Sequence, residues 1–284
     1  MHTLPQAFYL ETLQGQLFCL YHPPHGPFRG RVLHLHPLAE ELNNSRRVSA
    51  QQARALAQMG YAVLQFDMLG CGDSTGEFGD ATWTQWLMDA HTAATWLLAQ
   101  GSGPLWLWGS RTGALLANDL LAQWDHTAAR PPQTSVHLLF WQAVLSGQQA
   151  LKHWSRLRSA TSWTGGTDRP SSVFMSLQEN PSPSSVPWSV AGYTFSTGLQ
   201  EELGQSTLQP PSAQPGQRLV WIDVSTTTPP TNSPGALRAL EAWRQAGWEV
   251  FCTATPGPSY WQTIGTEDAP DLQSATLAFL NHGD

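Results

Sequence analysis

The chain has 284 residues, enough for one large domain with a buried core, and charged residues make up only 12% of it. A formal net charge of −7 argues against a nucleic-acid partner. No run reaches about 18 apolar residues, so no membrane-spanning helix is expected. The first residues, Met1-His2-Thr3-Leu4-Pro5-Gln6, lack a basic stretch followed by an apolar one, so no signal peptide is read there. Cys19, Cys71 and Cys252 are odd in number and far apart, which fits a reduced, cytoplasmic protein. The chain has 14 Trp, read mostly as core or pocket wall.

Residues 7–13 and 16–22 alternate apolar and polar side chains around Gln14-Gly15 and predict an antiparallel hairpin. A buried strand follows over 31–36. Helical periodicity runs over 45–59, with Ser45 as N-cap and Gly60 just past the end. An apolar strand is expected at 62–67, then a Gly-rich loop at 69–76 and a long helix at 82–100, capped by Asp80 or Thr82. Leu105-Trp106-Leu107-Trp108 predicts a strand and 112–124 a helix, with Gly109-Ser110-Arg111-Thr112-Gly113 between them. That spacing is the glycine pattern of a nucleophile elbow, G-x-S-x-G, in which the middle residue rises into a cleft. Here the middle residue is Arg111, a cation that proteins do not deprotonate.

Another strand is expected at 136–143 and a helix at 147–162. Residues 163–215 are rich in Ser, Pro, Gly and Thr with no sustained period, too long for a plain loop. We therefore expect core segments at 1–146 and 216–284, with 147–215 as a cap inserted over the sheet; a surface excursion is the alternative. A strand at 218–224, a helix at 233–246, a strand at 249–254 and a helix at 269–282 close the chain. Strands alternating with helices of this length imply right-handed crossovers and a parallel sheet.

This order, with the elbow after the fifth strand, resembles the α/β-hydrolase fold: a mostly parallel eight-stranded sheet with helices on both faces and a cap. Asp67-x-x-Gly70-x-Gly72-x-Ser74-x-Gly76 resembles the loop after that superfamily's fourth strand. A narrower resemblance is to the exosortase A system-associated hydrolases, type 2. It is carried by Pro37 to Arg47, Leu69 to Ser74, Trp108 to Ala114, Trp141-Gln142 with Ser146-Gly147, Ala191-Gly192-Tyr193 and Tyr260-Trp261-Gln262. The resemblance implies hydrolase ancestry and a place beside exopolysaccharide or PEP-CTERM sorting proteins. It brings neither a substrate nor a catalytic set.

A serine hydrolase needs nucleophile, base and orienting acid within reach of one another. Arg111 removes the first. The turn where a base would stand, Thr255-Pro256-Gly257-Pro258-Ser259-Tyr260-Trp261, has no His, and His282 comes late in the closing helix. Asp223 stands near the acid position and, with no His to orient, is read as structural. Ser110 is a shifted nucleophile or a small residue under a tight turn. Cys71 is an activated thiol or an inert buried one.

Several groups stand where new chemistry would need them. The Leu38 and Thr112 amides would face each other as anion donors. Arg111 would bind carboxylate or phosphate through its fork. Glu40 or Glu41 is either a general base beside Arg111 or the buried partner a buried guanidinium requires. His36 is placed at the pocket mouth and His34 in the core; with Glu40 or Asp67 they are also a weak metal pattern, and we expect no metal and no cofactor. Tyr260 and Trp261 wall the cleft or pack in the core. Arg46 and Arg47 are either an anion site at a helix start or solvated charge. Asp67 and Asp73 are expected to brace the Gly-rich loop through backbone amides.

Three functions stay open: an acyl ester or thioester hydrolase using water and a Glu base, a pseudoenzyme holding a small acyl or anionic ligand, and a partner of exopolysaccharide or sorting proteins.

Overall fold

The computed structural model describes residues 4–127, 134–164, 187–263 and 267–281. Eight strands form one sheet: β1 (Gln6–Thr12), β2 (Gly15–His22), β3 (Gly30–Leu35), β4 (Tyr61–Phe66), β5 (Leu105–Ser110), β6 (Val136–Trp141), β9 (Arg218–Ser225) and β10 (Glu249–Pro256). Their spatial order is β1-β2-β4-β3-β5-β6-β9-β10. β1 and β2 form the expected hairpin, and β2 meets β4 antiparallel. Every other pairing is parallel, so the fold is the α/β-hydrolase fold.

Period-2 alternation along the central strands separates two cores. Leu105 and Leu107 of β5 face one side, with Trp86 of α2 (Trp83–Leu98), Leu120 of α3 (Gly113–Thr127) and Trp243 of α6 (Pro234–Gln245). Trp106 and Trp108 face the other, with Val48 and Leu56 of α1 (Glu40–Gln58) and Leu272 and Leu280 of α7 (Pro270–Asn281). Each such buried side chain contributes roughly 1.5–3 kcal/mol. Trp86, Trp108, Trp124, Trp141, Trp221 and Trp243 are all fully buried, so much of the tryptophan content is core.

α4 (Gly147–Thr164), a small antiparallel pair β7 (Trp188–Val190) and β8 (Tyr193–Phe195), and α5 (Thr197–Gln205) intervene between β6 and β9. The described part of this segment packs on the start of α2. Ser196 donates to the Ala81 carbonyl, the Thr84 amide donates to Glu202, and Phe78 meets Tyr193 and Phe195 edge-on. Residues 165–186 of the expected cap lie outside the described residues, as does His282.

One helix start differs from expectation. α1 begins at Glu40, not Ser45; its N-cap is Ala39, at φ 54° and ψ −132°, with no side-chain cap. Backbone geometry turns this corner, so the side-chain signal that marks a helix start is missing. Ser45 is buried inside the helix. At α2 the Thr82 hydroxyl accepts from the Gln85 amide, as a cap should. No described helix is long and apolar enough to cross a membrane.

Candidate functional site

β5 ends at Ser110 and α3 begins at Gly113, so the chain reverses across Arg111 and Thr112. The glycines of the motif follow from close approach. A Cβ on Gly109 would strike the Ala114 backbone, and one on Gly113 would overlap the Leu35 carbonyl. Arg111 takes φ 56°, a left-handed conformation unfavourable to an L residue with a Cβ and held only because its surroundings over-determine it. Its amide donates to the Trp141 carbonyl at 2.9 Å, locking the apex to the end of β6.

Three of the five N–H groups of the Arg111 guanidinium are bonded. Nε donates to Glu41 Oε2 at 3.2 Å and Nη2 to Glu41 Oε1 at 3.0 Å, a two-bonded fork. Nη1 donates to the Gln142 carbonyl at 3.3 Å. The cation lies 5.0 Å from the centre of the Trp261 ring. The side chains of Arg111 and Glu41 are only 16% and 7% exposed, so neither charge would be tolerated alone. Glu41, not Glu40, is the partner.

Tyr260 and Trp261 are both buried in the α1–α7 core, and Asn44 of α1 donates to the Trp261 carbonyl at 3.1 Å. Both therefore pack in the core, and the Trp261 ring also faces Arg111. Burial pushes the Tyr260 phenol up, with Arg111 partly opposing and Glu41 adding to the effect. Asp223 accepts from Trp221 at 2.8 Å and from Asn232 at 2.9 Å. Burial raises its carboxyl, while Asn232, Trp221 and the charge on Arg111 pull it back.

Other expected site residues are placed as follows. The Leu38 amide donates to the Thr112 hydroxyl at 3.2 Å, so in this structure it is used within the elbow rather than offered to an anion. Ser110 is buried beneath the turn, 3.4 Å from His34 Nε2. His36 is buried, with Nδ1 2.7 Å from the Pro37 carbonyl. Burial lowers the pKa of both imidazoles. Cys71 is buried, and burial followed by the charge of Asp67 pushes its thiol far up, which fits the inert of the two readings. Among the described residues no group of three or more His, Cys, Asp or Glu could hold a metal.

Arg46 and Arg47 each have an acidic partner: Arg46 pairs with Asp67 at 3.1 Å, and Arg47 with Asp268 at 2.8 Å. Asp67 also accepts the Asp73 amide at 3.2 Å, so it does brace the Gly-rich loop. Gln142 is the residue that sequence reasoning missed. At φ 47° it turns its carbonyl to Arg111, and its side-chain oxygen accepts the Val224 amide at 2.6 Å. A backbone carbonyl leaves no mark on residue type; the signals were its place after β6, next to the elbow, and its part in the Trp141-Gln142 stretch.

The arrangement is an elbow whose apex carries an internally neutralised cation. Known proteins share the frame. The family model described as serine aminopeptidase, S33 matches residues 26–168, half of the chain and including the elbow. The lysophosphatidylserine lipase ABHD12 of Xenopus tropicalis is 31% identical over 121 residues, covering 42% of this chain and only 30% of the lipase. Est1E from Butyrivibrio proteoclasticus, solved with ferulic acid bound, superposes with a TM-score of 0.62 at 13% identity over 96% of both chains. XC6422 from Xanthomonas campestris, described as an a/b serine hydrolase without lid, gives 0.55 at 18% identity over 99% of this chain and 94% of its own. The chain thus belongs to the serine aminopeptidase S33 family of the α/β-hydrolase superfamily.

Proposed function

We propose that this family member does not carry out serine hydrolysis and instead binds a small anionic acyl ligand, a carboxylate or phosphate, at Arg111. The observation that carries the reading is the bidentate Arg111–Glu41 pair at the elbow apex. A guanidinium fork that holds one carboxylate can hold another, so an incoming anion competes with Glu41 for the same two donors. The Trp261 indole N–H, buried without a partner beside Arg111, offers an additional donor. Glu41 is poorly placed as a base, since both its oxygens face the cation. In this reading 147–215 serves as the cap, and Tyr193, whose hydroxyl accepts from Asn43 of α1 at 2.6 Å, ties it to the helix that carries Glu41.

The setting we propose is the cytoplasm, alongside exopolysaccharide or PEP-CTERM sorting proteins, in keeping with the exosortase-associated sequence pattern. A second reading is an acyl ester or thioester hydrolase in which Glu41 activates water. Family membership and the lipase relative favour it, as does the fraction of Arg111 that solvent still reaches.

A panel of short and medium acyl esters and thioesters, assayed with wild type and with Arg111→Ala and Glu41→Gln, separates the two. Our proposal expects no turnover above the solvent rate in any of the three proteins. Turnover by wild type that disappears in Glu41→Gln would overturn it in favour of the second reading.

A further inference from the structure

A second cavity, of about 140 Å³, lies away from the Arg111 fork, between α1 and strands β2, β3 and β4. His36, Ser45 and Ser49 line it, and His36 Nε2 and both hydroxyl oxygens are buried with no hydrogen-bond partner. All three residues are at least nine-tenths buried. Buried polar groups are normally satisfied, so three orphans around one cavity point to a missing guest.

The chemistry of the walls narrows what that guest is. His36 Nδ1 sits 2.7 Å from the Pro37 carbonyl, which can only accept, so Nδ1 carries the hydrogen. In the neutral ring Nε2 is then a lone-pair acceptor in need of a donor. The two serine hydroxyls can donate or accept. Arg46 and Asp67, also in the wall, neutralise each other at 3.1 Å. Net charge at the wall is therefore near zero, and neither an anion nor a cation gains from entering. Phe18, Leu20, Leu42 and Phe66 supply apolar surface between the polar points. A cavity of about 150 Å³ accepts a benzene-sized guest, which has six heavy atoms.

We propose that this cavity is a binding site for a small neutral polyol of glycerol size, whose hydroxyls donate to His36 Nε2 and exchange hydrogen bonds with Ser45 and Ser49. The carbon backbone lies against the apolar walls. The site is separate from anion binding at Arg111 and stands whether or not that reading holds.

The test is a glycerol titration of the full chain labelled with ¹⁵N-histidine. An imidazole nitrogen that begins to accept a hydrogen bond moves upfield, and we expect a saturable upfield shift of His36 Nε2. Sorbitol, too large for the cavity, should give no saturation, and neither should acetate or methylammonium. Ser49→Leu fills the space and should abolish the saturable shift; Ser45→Ala should weaken it several-fold and remains decisive if Ser49→Leu does not fold. A His36 signal that stays fixed, or that drifts linearly with glycerol in wild type and Ser45→Ala alike, would mean that the cavity holds only water and would overturn the proposal. Equal saturation by sorbitol would overturn it too.

Discussion

Glu41 grips Arg111 through two hydrogen bonds of 3.0 and 3.2 Å, at the turn between β5 and α3. The relationship joins two elements far apart in sequence, the first turn of α1 and the β5–α3 elbow. It turns a position suited to a nucleophile into an ion pair.

Removing one partner should therefore be far worse than removing both. Glu41→Gln leaves a nearly buried guanidinium without its counter-charge and should destabilise the protein by about 3 kcal/mol. The double substitution Arg111→Met with Glu41→Leu should stay within roughly 1 kcal/mol of wild type, because it removes desolvation along with attraction. Urea unfolding of wild type, Arg111→Met, Glu41→Leu and the double variant gives the coupling; additive effects would show that the pair does not act as a unit.

The thiols should divide by burial. Burial, with a smaller push from the charge of Asp67, takes the Cys19 thiol up to about 12 and Cys71 higher still. The thiolate is the reactive form, so neither should react in the native protein. Iodoacetamide at pH 8 should modify Cys252, which is partly exposed, and should reach the other two only after unfolding. Rapid native modification of Cys71 would contradict its placement.

Acid should weaken the fold through His137. Burial, then the charge of Arg218, lowers its pKa from 6.5 to about 4, and its Nδ1 accepts the Arg218 amide, a role open only to the neutral ring. Between those values the unfolded chain binds a proton that the native chain refuses, so stability falls as pH drops from 6.5 to about 4. The full effect is roughly 3 kcal/mol. Buried Asp89, Asp119 and Asp223, raised by desolvation, change stability in the opposite sense over the acid range, so the comparison must be with a variant. His137→Asn keeps an acceptor for the Arg218 amide, and its stability relative to wild type should improve by that amount between pH 7 and pH 4. A pH-independent difference would show that His137 does not titrate as described.

The strands and the elbow were legible because their signals are local. Leu105 to Gly113 carries the alternation, the apex and the glycines forced by close approach in nine consecutive residues. The partner of Arg111 was not decided in the same way. Glu40 and Glu41 stand about 100° apart on a helix, and which one faces the elbow depends on where the helix starts. That start was hidden because Ala39 turns the chain with its backbone at φ 54° and offers no capping side chain. The same gap placed Ser45 at a helix end, when it lines a cavity inside. The Leu38 amide meets the Thr112 hydroxyl, a contact across 74 residues that no spacing announces.

The most direct test of the account is calorimetric titration of a medium-chain carboxylate, octanoate, into wild type, Glu41→Gln and Arg111→Ala. If Glu41 is an internal competitor for the Arg111 fork, Glu41→Gln should bind at least about tenfold more tightly than wild type, a gain of about 1.4 kcal/mol, and Arg111→Ala should not bind. Equal affinity in wild type and Glu41→Gln, or undiminished binding in Arg111→Ala, would contradict it.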